Sequence, residues 1–546
     1  MSSYRGTVCG MEINDLVRTH RPHADAPALD PAALAALVRE SRGPVLVPGD
    51  DGYDAERSGF QRAYRHRPAV IVGARCAEDV VAAVRFARAQ GLPVAVQATG
   101  HGLSAATDGG LLISTRRMDG VRVDPAARTA RVEAGVVWGQ VVEAAAPYGL
   151  APLNGSSPGV GVVSYTLGGG VGVLARTYGF AADQVRSVDL VTAGARRRTV
   201  TAESDPGLFR ALLGGGHGLG AVTAMEFGLV PVARLYGGQL VFDGERIDTA
   251  LAAYLRWTET VPDELTSSLA LIVYPDLPQL PESLRGRHLA QIRIAWTGSA
   301  EEGERLVAPL RAVGPRVSDQ LREMPYAESH TIHQDPSDPH AYDGDNALLG
   351  GLDAAALLRV ATLAGPAAPA MCVVQLNHLG GAMARRGGPD DVAGAVGHRD
   401  ARFALRVLSP LIGADTGEEP GTDGTDRSGA GRPGAEGTGR SGAAAPRSDG
   451  PDAARATVRA LHAEVLAAVE PWRIGRSVNF LFGPHGERPD AAEVARSVHD
   501  ADEHRRLARL KDHHDPENVF RFHPAGAAAA GPSRRSLTTH RPAEAP

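Results

Sequence analysis

The sequence predicts an α+β protein of at least two parts. Three observations carry that prediction. Short apolar strands alternate irregularly with short helices over the first 230 residues, without a regular βαβ array. From about Leu235 the strands lengthen and the helices between them become amphipathic. The 546 residues exceed what one hydrophobic core normally supports.

Residues 1–30 read as a flexible arm with no apolar signal-like core. Ala69–Val72 is a buried strand, and Glu78–Ala89 a helix with Val80, Val84 and Ala87 on one stripe. Pro93–Gln97 and Leu111–Ile113 are strands. Val121–Val123 and Thr129–Val132 form a pair across Asp124-Pro125, and Val137–Ala146 is a helix. Val185–Thr192 and Arg198–Thr201 read as a hairpin. Ser204 is expected to cap a helix through Leu213, and Ala221–Val230 to be a strand.

In the second part, Gln239–Phe242, Leu269–Tyr274, His288–Trp296 and Cys372–Leu379 read as strands. Asp248–Thr260, Ala300–Val313 and Leu352–Ala364 read as covering helices. Residues 414–453 are Gly, Ala, Asp, Arg, Ser, Thr and Pro with almost no large apolar side chain, the composition of a disordered insertion. Helix is expected again from Ala454 to Val469, a strand over Trp472–Phe482 and a helix over Ala491–Leu510. Residues 525–546 read as a disordered tail.

Net charge is −6 from 57 basic and 63 acidic residues, which gives no reason to invoke nucleic acid or a membrane surface. No apolar run is long enough to span a bilayer, and the expected location is cytoplasmic. The three cysteines, Cys9, Cys76 and Cys372, match neither a metal site nor a disulfide framework, and Cys76 and Cys372 are expected as buried free thiols. No His, Cys or carboxylate spacing suggests a metal.

Chemistry concentrates in two glycine-rich stretches. In the first, the strand Val94–Gln97 runs into Ala98-Thr99-Gly100-His101-Gly102. The second holds Gly155-Ser156-Ser157-Pro158-Gly159-Val160-Gly161 and Leu167-Gly168-Gly169-Gly170. Such backbones can approach a flat or phosphorylated ligand closely. Gly159-x-Gly161 and Gly168-x-Gly170 are weak as Rossmann fingerprints, because no βαβ unit with a following acidic residue encloses them. A third cluster, Gly214 to Gly220, surrounds His217, read as a structural residue.

These motifs, in this order and with the late Asp515-Pro516-Glu517-Asn518-Val519-Phe520, resemble the FAD-linked oxidases of berberine-bridge-enzyme type, within the vanillyl-alcohol-oxidase-like superfamily. The resemblance covers about residues 66–232 and 470–524. It implies a PCMH-type FAD-binding domain over 31–234, a substrate domain with an antiparallel sheet over 235–470, and a C-terminal return to the first domain over 471–524. It also implies that His101 forms an 8α-histidyl bond to FAD, with Gly100 and Gly102 leaving room for the ring. Ser157, Gly159, Gly161, Gly168, Gly169, Gly170, Val222, Asn479 and Phe480 would complete the cofactor site.

Two departures matter. Relatives with a second, cysteinyl flavin bond carry cysteine where this chain has Ser157, so a single link and a lower flavin potential are expected. Relatives that use two tyrosines as the base carry them where this chain has Val171 and Phe480, so that mechanism does not transfer. Gln375, Asn377, His378 and Tyr165 are the candidates for substrate chemistry, with Tyr326, His330 and His333 behind them.

The expected activity is hydride removal from a small organic molecule, a secondary metabolite or sugar-like alcohol, with O₂ as electron acceptor. A dehydrogenase using another acceptor and a non-catalytic ligand-sequestering protein are the alternatives. The sequence leaves the oligomeric state open.

Overall fold

The computed structural model describes residues 29–102, 107–216, 218–385, 394–411, 450–482 and 491–521. Most of the expected insertion, the tail, nearly all of the arm, Cys9 and His217 lie outside them.

Three sheets organise the chain. The first has four strands, in the order Val45–Leu46, Val70–Gly73, Leu111–Ser114, Val94–Gln97. Leu111–Ser114 lies between the other two long strands and pairs with both in parallel. Val70–Gly73, the helix Ala77–Ala89 and Val94–Gln97 are therefore a βαβ unit split by an inserted strand. A strand flanked on both sides and covered by a helix must be apolar throughout, and both Val70–Gly73 and Leu111–Ser114 are fully buried. The five-stranded second sheet contains the expected hairpin, Val185–Val191 with Arg197–Val200.

The third sheet has nine strands. Its centre runs Arg234–Asp243, His288–Trp296, Leu265–Val273, Val373–His378, Phe403–Pro410, Tyr342–Leu349, all antiparallel. The pleat alternates side chains between two faces. Leu240, Ile292, Leu269, Leu376, Leu405 and Ala347 stand opposite one another across the strands. They pack with the helices Ile247–Thr258, Ala300–Arg311, Ala354–Leu363 and Gly450–Ala467 into one core. The other face is polar: Gln291, Gln375 and Arg406 fall in one cross-strand row, and Gln239, Arg293, Ser268 and Asn377 in the next.

Several expectations are corrected. Asp205, not Ser204, caps the helix Pro206–Leu212, accepting from the Leu208 amide at 3.1 Å. Ser204 instead accepts from Thr201 N at 2.9 Å. Residues 450–453, assigned to the disordered insertion, begin the helix Gly450–Ala467. The strand at 472–482 is only Arg473–Gly475, followed by a 3-10 turn over Val478–Phe480. The C-terminal helix is two, Ala491–Ser497 and Ala501–His514, the second capped by Asp500. Of the thiols, Cys372 is buried but Cys76 is only partly so; both are free.

Candidate functional site

A cavity of about 710 Å³ lies between the glycine loops and the polar face of the large sheet. Each wall follows from the element that supplies it. Val94–Gln97 delivers the loop that carries His101. Gly100 turns that loop with φ +70°, and a Cβ there would sit 2.7 Å from Gly59 Cα, so only glycine fits. The imidazole stacks on Phe60 with ring centroids 3.9 Å apart. Its Nδ1 lies 2.9 Å from Thr99 Oγ1, and the Tyr342 hydroxyl donates to the His101 carbonyl at 2.5 Å. Nε2 is buried without a partner. Burial, reinforced by His340, pushes the ring down to about 4, so it is neutral near pH 7.

The second glycine stretch faces it. A Cβ on Gly159 would lie 3.9 Å from His101 Nε2 and 4.0 Å from Ser157 Oγ, which brings the imidazole edge and the serine to one spot. Gly168 and Gly170 admit two neighbours. A Cβ at Gly168 would meet Asn479 Oδ1 at 1.9 Å, and one at Gly170, where φ is +79°, would meet Tyr165 Cε1 at 2.4 Å. Asn479 donates from Nδ2 to the Tyr165 carbonyl at 2.8 Å, which ties the late segment to the glycine loop. Its Oδ1 and the Tyr165 hydroxyl are buried without partners. Burial raises the Tyr165 phenol well above its ordinary range, so it stays protonated.

The residues expected around a cofactor separate by position. His101, Gly100, Gly102, Ser157, Gly168, Val222, Asn479 and Phe480 line the cavity. Gly159, Gly161, Gly169 and Gly170 form the backbone behind it. Val171 and Phe480, the two apolar replacements, are both on the wall.

On the opposite side Gln375 and Asn377 face the cavity, but their amides are engaged with protein. Gln375 Nε2 donates to Asn377 Oδ1 at 2.7 Å. Gln375 Oε1 accepts from Arg406 Nε at 3.0 Å and from Arg293 at 3.4 Å. The two arginines escaped the sequence reading, although each interrupts an apolar strand on its polar phase: Gln291 and Arg293 in His288–Trp296, and Arg406 in Phe403–Pro410.

His378 also borders the cavity, but from the far side of its strand. Its Nε2 accepts from Arg176 at 3.0 Å and its Nδ1 lies 3.5 Å from Ser267 Oγ, so both ring nitrogens are engaged with protein. Arg176 also donates to the Leu265 carbonyl at 2.8 Å, fastening the glycine-loop domain to the large sheet. Of the other candidates, Tyr326 is buried away from the cavity, donating to Asn154 Oδ1 at 2.6 Å, and His330 is exposed beside the Ala327 carbonyl. His333 does line the cavity, with Nδ1 buried and unpartnered. It heads a turn whose next residue, Gln334, has φ +55°. Asp335 follows, hydrogen-bonded by Ser156. Burial and then Arg293 depress the His333 pKa, and it is neutral; Arg406 and Arg293 hold the Asp335 carboxyl below its ordinary range despite its burial.

The groups present suit a flat, partly polar ligand. Glycine backbone gives close approach, and the orphaned polar atoms of His101, Tyr165 and Asn479 need partners that the protein does not supply. The comparisons agree. Residues 68–201 match the family model described as an FAD binding domain. The fold is that of 6-hydroxy-D-nicotine oxidase from Arthrobacter nicotinovorans, with TM-score 0.71 over 89% of this chain and 97% of that one at 24% identity. The chain carries an FAD binding domain over residues 68–201, and its fold is shared with berberine-bridge-like proteins.

Two further proteins are similar at lower coverage or identity. The curated (R)-6-hydroxynicotine oxidase of Paenarthrobacter nicotinovorans is 31% identical over 298 residues, which cover 53% of this chain and 62% of that protein. An Acremonium strictum glucooligosaccharide oxidase shares the fold at TM-score 0.71 and 19% identity, over 89% of this chain and 97% of that one. Among the described residues, no helix is long and apolar enough to cross a membrane, and no cluster of His, Cys, Asp or Glu could hold a metal ion.

Proposed function

We propose that the protein is an FAD-dependent oxidoreductase that removes a hydride equivalent from a small organic substrate and passes the electrons to O₂. FAD is held by a single covalent bond, from His101 Nε2. One observation carries the reading. A neutral, buried imidazole nitrogen stands without a partner between two glycine loops, as a nucleophile for the dimethylbenzene edge of a flavin must. Bound FAD would supply the two-electron acceptor.

The protein's own groups do the rest. Gly100 and Gly159 leave His101 clear, and Phe60 and Thr99 fix its ring plane. Ser157 stands at the same spot with a hydroxyl in place of a thiol, which leaves one tether. Val171 and Phe480 exclude water from the cavity wall. His333, on the cavity wall with Nδ1 unpartnered, accepts the substrate proton, and Asp335 beside it offsets part of what burial and the two arginines cost the imidazolium. That relatives are named oxidases supports O₂ as the acceptor.

The test is denaturing. Acid-precipitated protein should be yellow, and its digest should show an FAD-sized mass on the peptide containing His101. Flavin in the supernatant alone would remove the covalent role of His101, and no flavin in either fraction would remove the reading. In the steady state, His333→Asn should lower kcat by a factor of about 10² with flavin content unchanged, the typical contribution of a positioned base. An unaltered kcat would assign the proton to another acceptor.

A further inference from the structure

The polar face of the large sheet carries two guanidinium groups into the cavity. Arg293 comes from His288–Trp296 and Arg406 from Phe403–Pro410, with Leu265–Val273 and Val373–His378 between them. Arg293 is 5% exposed, and Arg406 is partly buried where it lines the cavity. Buried arginines normally face carboxylates, because an unpaired interior cation is costly. Among the described residues, neither guanidinium has a carboxylate oxygen within 4.0 Å.

Their hydrogen-bond partners are neutral amides, and Arg406 also lies over the Phe480 ring, 5.2 Å from its centroid. Both arginines donate to the single oxygen of Gln375, and Arg293 also donates to Gln291 Oε1 at 2.8 Å. Arg293 Nε is buried and has no acceptor at all. Behind these amides the network stays neutral: Gln291 donates to the Tyr274 hydroxyl at 2.9 Å and Gln375 to Asn377. Asp335 is the one ionised carboxylate whose charge reaches the pair, and its Oδ2 already accepts from Ser156. His333 is neutral. Two cations facing one carboxylate leave a positive charge uncompensated on the cavity wall.

We propose that this arginine pair is the recognition site for an anionic oxygen, so that the substrate enters as a carboxylate or an ionised phenol or enol rather than as a neutral alcohol. The inference rests on the oxidoreductase reading for the word substrate, but the anion site stands on its own geometry. Planar guanidinium groups offer paired donors to such an oxygen, and charge-assisted bonds in a shielded site are the strong ones. The site lies opposite the glycine loops, so an anion held there puts the rest of the molecule between the two walls. Gln375 is a positioning residue: it aims both guanidinium groups through one oxygen.

Calorimetric titration of the purified full chain tests this without any turnover. Benzoate and 4-nitrophenolate are the anionic probes, and benzamide is the neutral isostere of the first. Benzoate or 4-nitrophenolate should bind at least about tenfold more tightly than benzamide, the effect expected of one charge-assisted bond. Whichever anion binds more tightly identifies the source, carboxylate or phenolate. Arg406→Gln should abolish that preference and Arg406→Lys should retain most of it. The lysine variant guards against a general packing defect. Equal binding of benzoate and benzamide would overturn the proposal. So would Arg406→Gln variants that bind benzoate unchanged while their flavin spectrum shifts, since the pair would then serve the flavin. Absence of flavin from the protein, with the benzoate preference intact, would instead overturn the oxidoreductase reading and leave the anion site.

Discussion

At the scale of single residues, the site is a set of polar atoms that the fold buries without giving them partners. His101 Nε2 is the sharpest case, and His101→Ala should yield a protein whose flavin, if retained, separates from the chain on denaturation; a flavin still co-migrating in a denaturing gel would assign the bond elsewhere. Tyr165 tests the same idea from the stability side. Its hydroxyl is buried and unpaired, so Tyr165→Phe should leave the thermal midpoint of flavin-free protein unchanged or raise its stability by about 1 kcal/mol. A marked loss by thermal melt would show that the hydroxyl has a partner. His101, Ser157 and the glycines were legible because their spacing is local. His333 was legible only as one of three similar candidates, since the turn that separates it from Tyr326 and His330 is a tertiary fact. Arg293 and Arg406 were missed, although a charged residue on the polar phase of an otherwise apolar strand was there to be read.

At the scale of elements, the glycine loop and the helices around it work by close approach. At Gly170 the backbone is left-handed and the Tyr165 ring occupies the place of a side chain. Gly170→Ala should therefore cost about 1–3 kcal/mol in chemical denaturation and lower the flavin content on purification. Wild-type stability with full flavin would mean the loop adapts. The strands that sequence reasoning found are those with continuous apolar or alternating patterns, such as His288–Trp296. Tyr342–Leu349 escaped because it opens Tyr-Asp-Gly-Asp-Asn, residues of low strand propensity apart from the tyrosine. It forms because it lies between Phe403–Pro410 and Arg473–Gly475, and its acidic side chains are answered from elsewhere: Tyr64 donates to Asp343 at 2.9 Å and Arg459 at 3.0 Å. The apparent strand at 472–482 fails for the opposite reason. Asn346 accepts from Ser477 N at 2.7 Å and turns the chain out of the sheet.

At the scale of the whole molecule, buried neutral histidines set the acid limit. His66 accepts from the Thr107 amide at Nδ1 (2.9 Å) and faces Gln97 Oε1 at Nε2 (3.1 Å), a pattern only the neutral ring satisfies. Burial pushes it down to about 4, and burial does the same to His499. Because the unfolded rings take up protons near pH 6.5 and the folded ones do not, stability is full above that pH and falls as pH drops toward 4. Thermal midpoints measured from pH 7.5 to 4.5 should decline below about 6.5, and His66→Gln should flatten that slope. A flat profile in the parent would exclude the linkage.

The first sheet is finished by the far end of the chain. Val94 donates its amide to the Val519 carbonyl at 2.7 Å, Asp515 accepts from the amides of Val519 and Phe520, and Phe520 reaches the cavity. Lys511 clamps the same turn, bonding Asp515 at 2.5 Å and the Gly218 carbonyl at 2.8 Å. The glycine loops thus precede by more than 300 positions the segment that covers the edge beside the His101 loop. A chain cut before residue 515 would keep the histidine but leave the Val94 edge of its sheet uncovered and the cavity without Phe520.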